Sequence, residues 1–169
     1  MKRAIVLFPK FRNMEAIQAI RARFDPLAEY IAPHITLVFP FESERSTDEL
    51  KAHLSQSLAG MKQFTVRLNG VTGDFRDGYL FLNVKQGNDS IIDLHDRLYS
   101  GVLEPFVFRK VTYCPHITVG RVVEPSAFDR ALEELAGFQE NFEAEIDKVY
   151  VENIDSSDRS TIELIFDLT

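Results

Sequence analysis

Apolar positions recur along the chain with two different spacings, and the switches between them mark out its elements. Lys2 to Phe8 reads as a strand that Pro9 ends. From residue 13 to residue 24 the spacing turns helical, with Ile17, Ile20 and Phe24 on one stripe and Asp25-Pro26 as the stop. A β-branched and aromatic run from Ile35 to Phe39 predicts the next strand. Ser46-Thr47-Asp48-Glu49 has the Ser-x-x-Glu form in which a hydroxyl and a carboxylate satisfy each other's backbone N–H groups. It opens a helix with Leu50, Leu54 and Leu58 in a stripe, ended by Gly60. Phe64, Val66 and Leu68 then alternate as a strand with Val71 beyond, Asp77-Gly78 marks a turn, and Tyr79 to Val84 reads as a strand.

The same order then returns. Asn88 or Asp89 caps a helix carrying Ile91, Ile92, Leu98 and Val102. A loop-like stretch from Leu103 to Tyr113 leads to a strand over Ile117 to Val123. Ser126-Ala127-Phe128-Asp129 resembles the earlier capping box, and its helix carries Phe128, Leu132 and Leu135 with Gly137 near the end. Phe142, Ala144, Ile146 and Val149 match Phe64, Val66, Leu68 and Val71 position for position, and Thr161 to Leu168 is a final strand. Strand, helix, strand, capped helix, strand therefore occurs twice. The period of about 80 residues is too long, and two copies too few, for a solenoid. The expected fold is α+β: one domain over residues 1–169, made of two pseudo-symmetric βαβ-rich lobes whose antiparallel-type sheets form a central groove.

Each copy carries its chemistry at one place. Pro33-His34-Ile35-Thr36 recurs as Pro115-His116-Ile117-Thr118, with the histidines 82 residues apart. Successive side chains of a strand point to opposite faces. His34 and Thr36 thus share one face and Ile35 anchors the other, and His116, Thr118 and Ile117 repeat the arrangement. Pseudo-symmetry would bring the two His-x-Thr pairs into one groove. The alternative is two unrelated strand-edge histidines.

Composition and charge narrow the function. With 45% hydrophobic and 27% charged residues the chain has the make-up of a soluble globular protein. No apolar run is long enough for a membrane span or a signal segment, so a cytoplasmic location is expected and no membrane partner. One cysteine, Cys114, excludes an internal disulfide framework and a cysteine-rich zinc site, and it reads as a packing residue. A net charge of −7 argues against binding long duplex nucleic acid. The charge is uneven, though. Residues 1–24 hold six basic residues against Glu15, a net of +5, while residues 124–169 hold 13 acidic against 3 basic, a net of −10. Two readings stand: solvated helix faces, or a basic lip for a phosphate-bearing ligand.

Two imidazoles can serve as base and acid in one turnover at neutral pH. Flanking a phosphate, the neutral one takes a proton from water or a hydroxyl while the protonated one gives a proton to the departing oxygen, and the two threonines hold non-bridging oxygens. The scheme requires no metal and no cofactor, and no acidic or thiol ligand lies at zinc spacing from either histidine.

Pro33-His34-Ile35-Thr36-Leu37-Val38-Phe39 with Pro115-His116-Ile117-Thr118-Val119-Gly120-Arg121-Val122 resembles the 2H phosphoesterase superfamily, which includes 2′-5′ RNA ligase-like proteins and cyclic phosphodiesterases. Ala4-Ile5-Val6-Leu7-Phe8-Pro9 and Leu94-His95-Asp96-Arg97-Leu98-Tyr99 resemble a bacterial branch of it. The resemblance implies a bilobal α+β fold, His34 and His116 as the catalytic pair, and Thr36 and Thr118 on the phosphate. It implies a small cyclic-phosphate nucleotide or an RNA end as partner, opened by hydrolysis or joined through a 2′-5′ bond. Val119-Gly120-Arg121 stands where relatives often have Leu-Ala-Arg, and Pro40-Phe41 where they often have Gly. A different class of protein remains open: a module that binds a nucleotide or RNA end without turnover. A histidine-triad hydrolase is excluded, because its H-x-H-x-H run is absent.

Three further residues are candidates. Arg121 reaches the phosphate only if a bulge at Gly120 breaks the alternation. Tyr113 and Phe39 flank the motifs and could stack on a base or belong to the core. His53 and His95, on predicted helices, read as structural or surface residues. The sequence leaves the oligomeric state open.

Overall fold

The strands the alternation predicts join into a single sheet. A computed structural model describes residues 1–169. Its elements are β1 (Lys2–Leu7), α1 (Met14–Phe24), β2 (Ile35–Glu42), α2 (Thr47–Ser57), β3 (Phe64–Asp74), β4 (Tyr79–Gln86), α3 (Asn88–Leu98), a 3-10 turn at Gly101–Phe106, β5 (His116–Arg121), α4 (Pro125–Leu135), β6 (Phe142–Ile146), β7 (Lys148–Ile154) and β8 (Ser160–Asp167). The eight strands run in the order β6-β3-β4-β5-β2-β1-β7-β8, every neighbouring pair antiparallel. The fold is α+β, with two half-sheets joined at a central seam. Only Asp147 separates β6, at one end of the order, from β7, near the other, so the sheet must curl to bring its ends together.

The register carries an approximate two-fold. At the seam, β2 and β5 share one ladder pair, Ile35 with Ile117, which are equivalent residues of the two repeats. Phe64, Val66 and Leu68 pair with Ile146, Ala144 and Phe142, again exchanging equivalent positions. The helices cross the seam: α1 packs on β5 and α3 on β2. One core of 34 buried residues runs through both halves. Each half therefore closes over the other's central strand.

Caps differ from the sequence reading at two helices. The Ser46–Glu49 box is formed, with Ser46 Oγ accepting from Glu49 N at 3.2 Å and Glu49 Oε2 accepting from Ser46 N at 2.8 Å. At α3, neither Asn88 nor Asp89 is the cap. Gly87 holds that position at φ 92°, in the left-handed region, with no side-chain cap bond. At α4 the Ser126 box gives way to Glu124, whose carboxylate accepts from Ser126 N at 3.0 Å and Ala127 N at 2.7 Å while Pro125 takes the first helical position. Val102, expected on α3, lies in the 3-10 turn after it. Cys114 is exposed rather than packed.

The charge asymmetry is resolved by pairing. Lys2 meets Asp158, Arg3 meets Glu163 and Arg23 meets Glu134, so half of the basic N-terminal residues neutralise acidic residues of the C-terminal quarter. Arg3 is fully buried and binds Glu163 through Nε at 2.7 Å and Nη2 at 2.8 Å. The N-terminal surplus thus forms no continuous basic lip. No helix is long and apolar enough to cross a membrane.

Candidate active site

The two Pro-His-Ile-Thr copies fold alike, residue by residue. Pro33 and Pro115 are buried, His34 and His116 half-buried, Ile35 and Ile117 sealed in the core, Thr36 and Thr118 half-buried again. Antiparallel pairing of Ile35 with Ile117 sets His34 across from Thr118 and Thr36 across from His116, all four on the face opposite the isoleucines. The ladder is limited to that one pair because β2 and β5 overlap only at their starts, each preceded by a proline, Pro33 or Pro115, that has no N–H to donate.

Both strands bulge one residue further on. Val6 pairs with Thr36 but Ile5 with Val38, leaving Leu37 as the extra residue; Phe81 pairs with Thr118 but Leu80 with Gly120, leaving Val119. The second bulge returns Arg121 to the Thr118 side. A cavity of about 290 Å³ is lined by His34, Thr118, Arg121, Tyr79, Arg21 and Asp25 among others. A Cβ on Gly120 would lie 2.7 Å from Phe24 Cβ and 2.9 Å from Leu80 Cδ1, so the close approach of α1 to the bulge requires glycine. His116 lies outside that cavity's lining, beside Phe81 with ring centroids 4.0 Å apart. Phe81 continues to Tyr79, stacked at 6.0 Å, and the Arg121 guanidinium lies 5.1 Å over the Tyr79 ring.

Each histidine is oriented by the backbone two residues before it. Nδ1 of His34 is 2.9 Å from Ala32 O and Nδ1 of His116 is 2.7 Å from Cys114 O. A carbonyl only accepts, so Nδ1 carries the proton in both and Nε2 is left to gain or lose one. Burial pushes both pKa values down against these bonds. His34 falls to about 4, with the nearby Arg21 cation adding to the effect, and His116 falls below its ordinary value. Both imidazoles are therefore neutral at pH 7.

Three side chains hold the part of β2 that the short ladder leaves free. Tyr113 donates its hydroxyl to Thr36 O at 2.7 Å, His95 Nδ1 donates to Leu37 O at 2.7 Å, and Phe39 N donates to the Tyr99 hydroxyl at 3.0 Å. Tyr113 also stacks on His95 at 3.6 Å and 8°. Its ring and hydroxyl are thus both engaged within the fold. Phe39 packs against Phe108, centroids 5.3 Å apart. His53 is buried, with Nε2 2.9 Å from Leu98 O.

Arg21 is a groove residue that sequence reasoning counted only as charge. It is buried, with Nε on Asp25 Oδ2 at 2.7 Å and Nη2 on Ile31 O at 2.8 Å, while Nη1 has no partner. It clasps the loop that delivers Pro33 and His34. The signal was present: Arg21 lies four residues after Ile17, on the apolar stripe of α1. No three His, Cys, Asp or Glu side chains cluster in a way that could hold a metal ion.

A curled antiparallel sheet with twin His-x-Thr strands at its seam defines a two-histidine class of protein. Residues 9–158 match the 2′-5′ RNA ligase superfamily, and the chain belongs to that family, the 2H phosphoesterases. A Bacillus licheniformis protein provisionally described as a phosphoesterase is 28% identical over 152 residues, covering 89% of each chain. A Geobacillus kaustophilus protein of the same description is 27% identical over 155 residues, 89% of this chain and 87% of the relative. Among solved structures, Escherichia coli LigT complexed with 3′-AMP superposes with a TM-score of 0.69 at 20% identity, over 99% of this chain and 98% of that one. A Thermus thermophilus protein gives a TM-score of 0.70 at 17% identity, with the same coverage. At these identities the structures establish the shared fold.

Proposed function

We propose that this chain is a metal-independent phosphoesterase acting on a 2′,3′-cyclic phosphate or a related RNA terminus, with His34 and His116 as its acid–base pair. The observation that carries the reading is the duplicated frame: two strands present His and Thr on one face across a single ladder pair, each imidazole fixed through Nδ1 to a backbone carbonyl. Phosphate between them meets Nε2 on both sides. One neutral imidazole takes a proton from water as its oxygen attacks phosphorus. The other, protonated in the complex by the phosphate anion's field, gives its proton to the ribose oxygen as the P–O bond breaks. Thr36 and Thr118 donate to non-bridging oxygens, and Arg121 adds a cation on the Thr118 side. Phe81 and Tyr79 offer aromatic faces for a base. With the hydroxyl of a second RNA end in place of water as the nucleophile, the same proton transfers would join two ends.

Family membership, the phosphoesterase description of the Bacillus and Geobacillus relatives, and the LigT complexes with 3′-AMP, ATP and NADP+ support a nucleotide-sized phosphate ligand. The test is turnover of nucleoside 2′,3′-cyclic phosphates, ADP-ribose cyclic phosphate and RNA ends by pure protein. His34→Ala and His116→Ala should each cut turnover by about two to four orders of magnitude while keeping the fold. Wild-type binding of these compounds with no turnover would instead make the chain a binding module.

A further inference from the structure

A second cavity, of about 460 Å³, lies on the other side of the loop that carries Ile31, a residue lining both cavities. Along β7, Val149 and Val151 are sealed in the core, so Tyr150 and Glu152 turn to the opposite face. Val6 pairs with both Thr36 and Tyr150, which places Tyr150 in the same row and on the same face as Thr36, two strands away. Two strand spacings are roughly 10 Å, a separation that a ribose can bridge between a phosphate and its base. Phe8 joins the two regions: its ring meets His34 at 6.1 Å and Tyr150 at 5.1 Å between centroids.

The cavity has flat aromatic walls and one buried polar group. Phe8, Tyr30 and Tyr150 line it, with Ile162 on an exposed rim. Glu152 also lines it and is 1% exposed. Ser160 donates its hydroxyl to Oε1 of that carboxyl, and Oε2 has no partner. Buried polar atoms are nearly always paired, so an orphan on a residue that lines a cavity marks a place for a ligand donor. Burial pushes the carboxyl pKa up, and a donor that stabilises the carboxylate relieves that cost.

We infer that this cavity is a nucleobase pocket, in which the aromatic side chains hold the base and Glu152 Oε2 accepts a ring or exocyclic N–H. The inference rests on the proposed phosphate site only for its placement of the base beside His34. It makes the groove directional. The His116 side offers the aromatic faces of Phe81 and Tyr79, and the His34 side an aromatic-lined cavity with a hydrogen-bond acceptor.

The test uses nucleosides without phosphate, titrated into the full chain by calorimetry. Guanosine, adenosine or cytidine should bind. Glu152→Gln, which replaces an acceptor oxygen by a donor, should weaken binding about tenfold. Ile162→Trp, a change at the exposed rim on the ladder partner of Glu152 that keeps the carboxyl itself, should abolish it, so a folding defect in the first variant would not decide the matter. Absence of nucleoside binding, or binding unchanged by both variants, would overturn the inference, as would binding lost with Phe81→Ala but kept with Ile162→Trp. Nucleoside binding without turnover of any cyclic phosphate would sink the proposed activity and keep the pocket; turnover without nucleoside binding would do the reverse.

Discussion

Replacing His34 with glutamine should make the protein less sensitive to acid. Burial holds the folded-state pKa of His34 at about 4, against an ordinary 6.5. As pH falls, the unfolded chain takes up this proton first. The stability His34 contributes is therefore complete above 6.5 and is lost as pH drops toward 4. A full gap of that size is worth about 3 kcal/mol by linkage. The imidazole is half-buried in an open groove, so solvent screening reduces this to about 2 kcal/mol. His116, also held down by burial, contributes equally to both proteins and cancels from their difference. Urea titrations at about pH 7.5 and pH 4.5 give the two stabilities. The wild type should lose about 2 kcal/mol more than His34→Gln between those conditions. Equal losses, or an imidazole NMR midpoint for His34 at the ordinary 6.5, would refute the burial argument.

Four other outcomes follow from the same geometry. The His34→Ala, His116→Ala double variant should turn over little more slowly than either single variant, since the proposed mechanism puts the two imidazoles in one proton relay; a multiplicative loss would separate their roles. Activity should survive excess EDTA, and loss restored by a divalent ion would point to metal chemistry. Gly120→Ala should destabilise the fold by about 1–3 kcal/mol in chemical denaturation, because the added methyl overlaps Phe24 and Leu80 at the bulge. Tyr113→Phe should cost about 1 kcal/mol by removing the donor to Thr36 O, and should alter turnover through the position of that strand; unchanged kinetics would mean that β2 needs no such support.

Most elements were legible because their burial follows a local period. Phe64, Val66 and Leu68 alternate, and Ser46 with Glu49 closes its box within three residues. β7 was hidden because one residue, Asp147, separates it from β6, and nothing local tells a strand that continues from one that changes partners. The caps of α3 and α4 were misread for a related reason. Asn88 and Ser126 are good cap residues by type, but a left-handed Gly87 and the Glu124-Pro125 pair set those starts. Of the candidate site, the repeated motif was visible in the sequence. Arg121 turned on a bulge that Gly120 permitted without dictating. Arg21 was legible only from its place on the apolar stripe of α1, and Glu152 not at all, since what distinguishes it is burial with an unpartnered atom, a property of the packed chain.

The single ladder pair at the seam has a consequence for how such a site changes. A longer ladder would fix the distance between the His34 and His116 strands at one backbone spacing. Here the aperture is set by the parts around it: α1 against Gly120, and α3 through His95 and Tyr99 on β2. Under the proposed function, the size of phosphate accepted would follow helix packing: substitutions on the rear of the molecule would shift the two motif strands while leaving the motif residues themselves untouched.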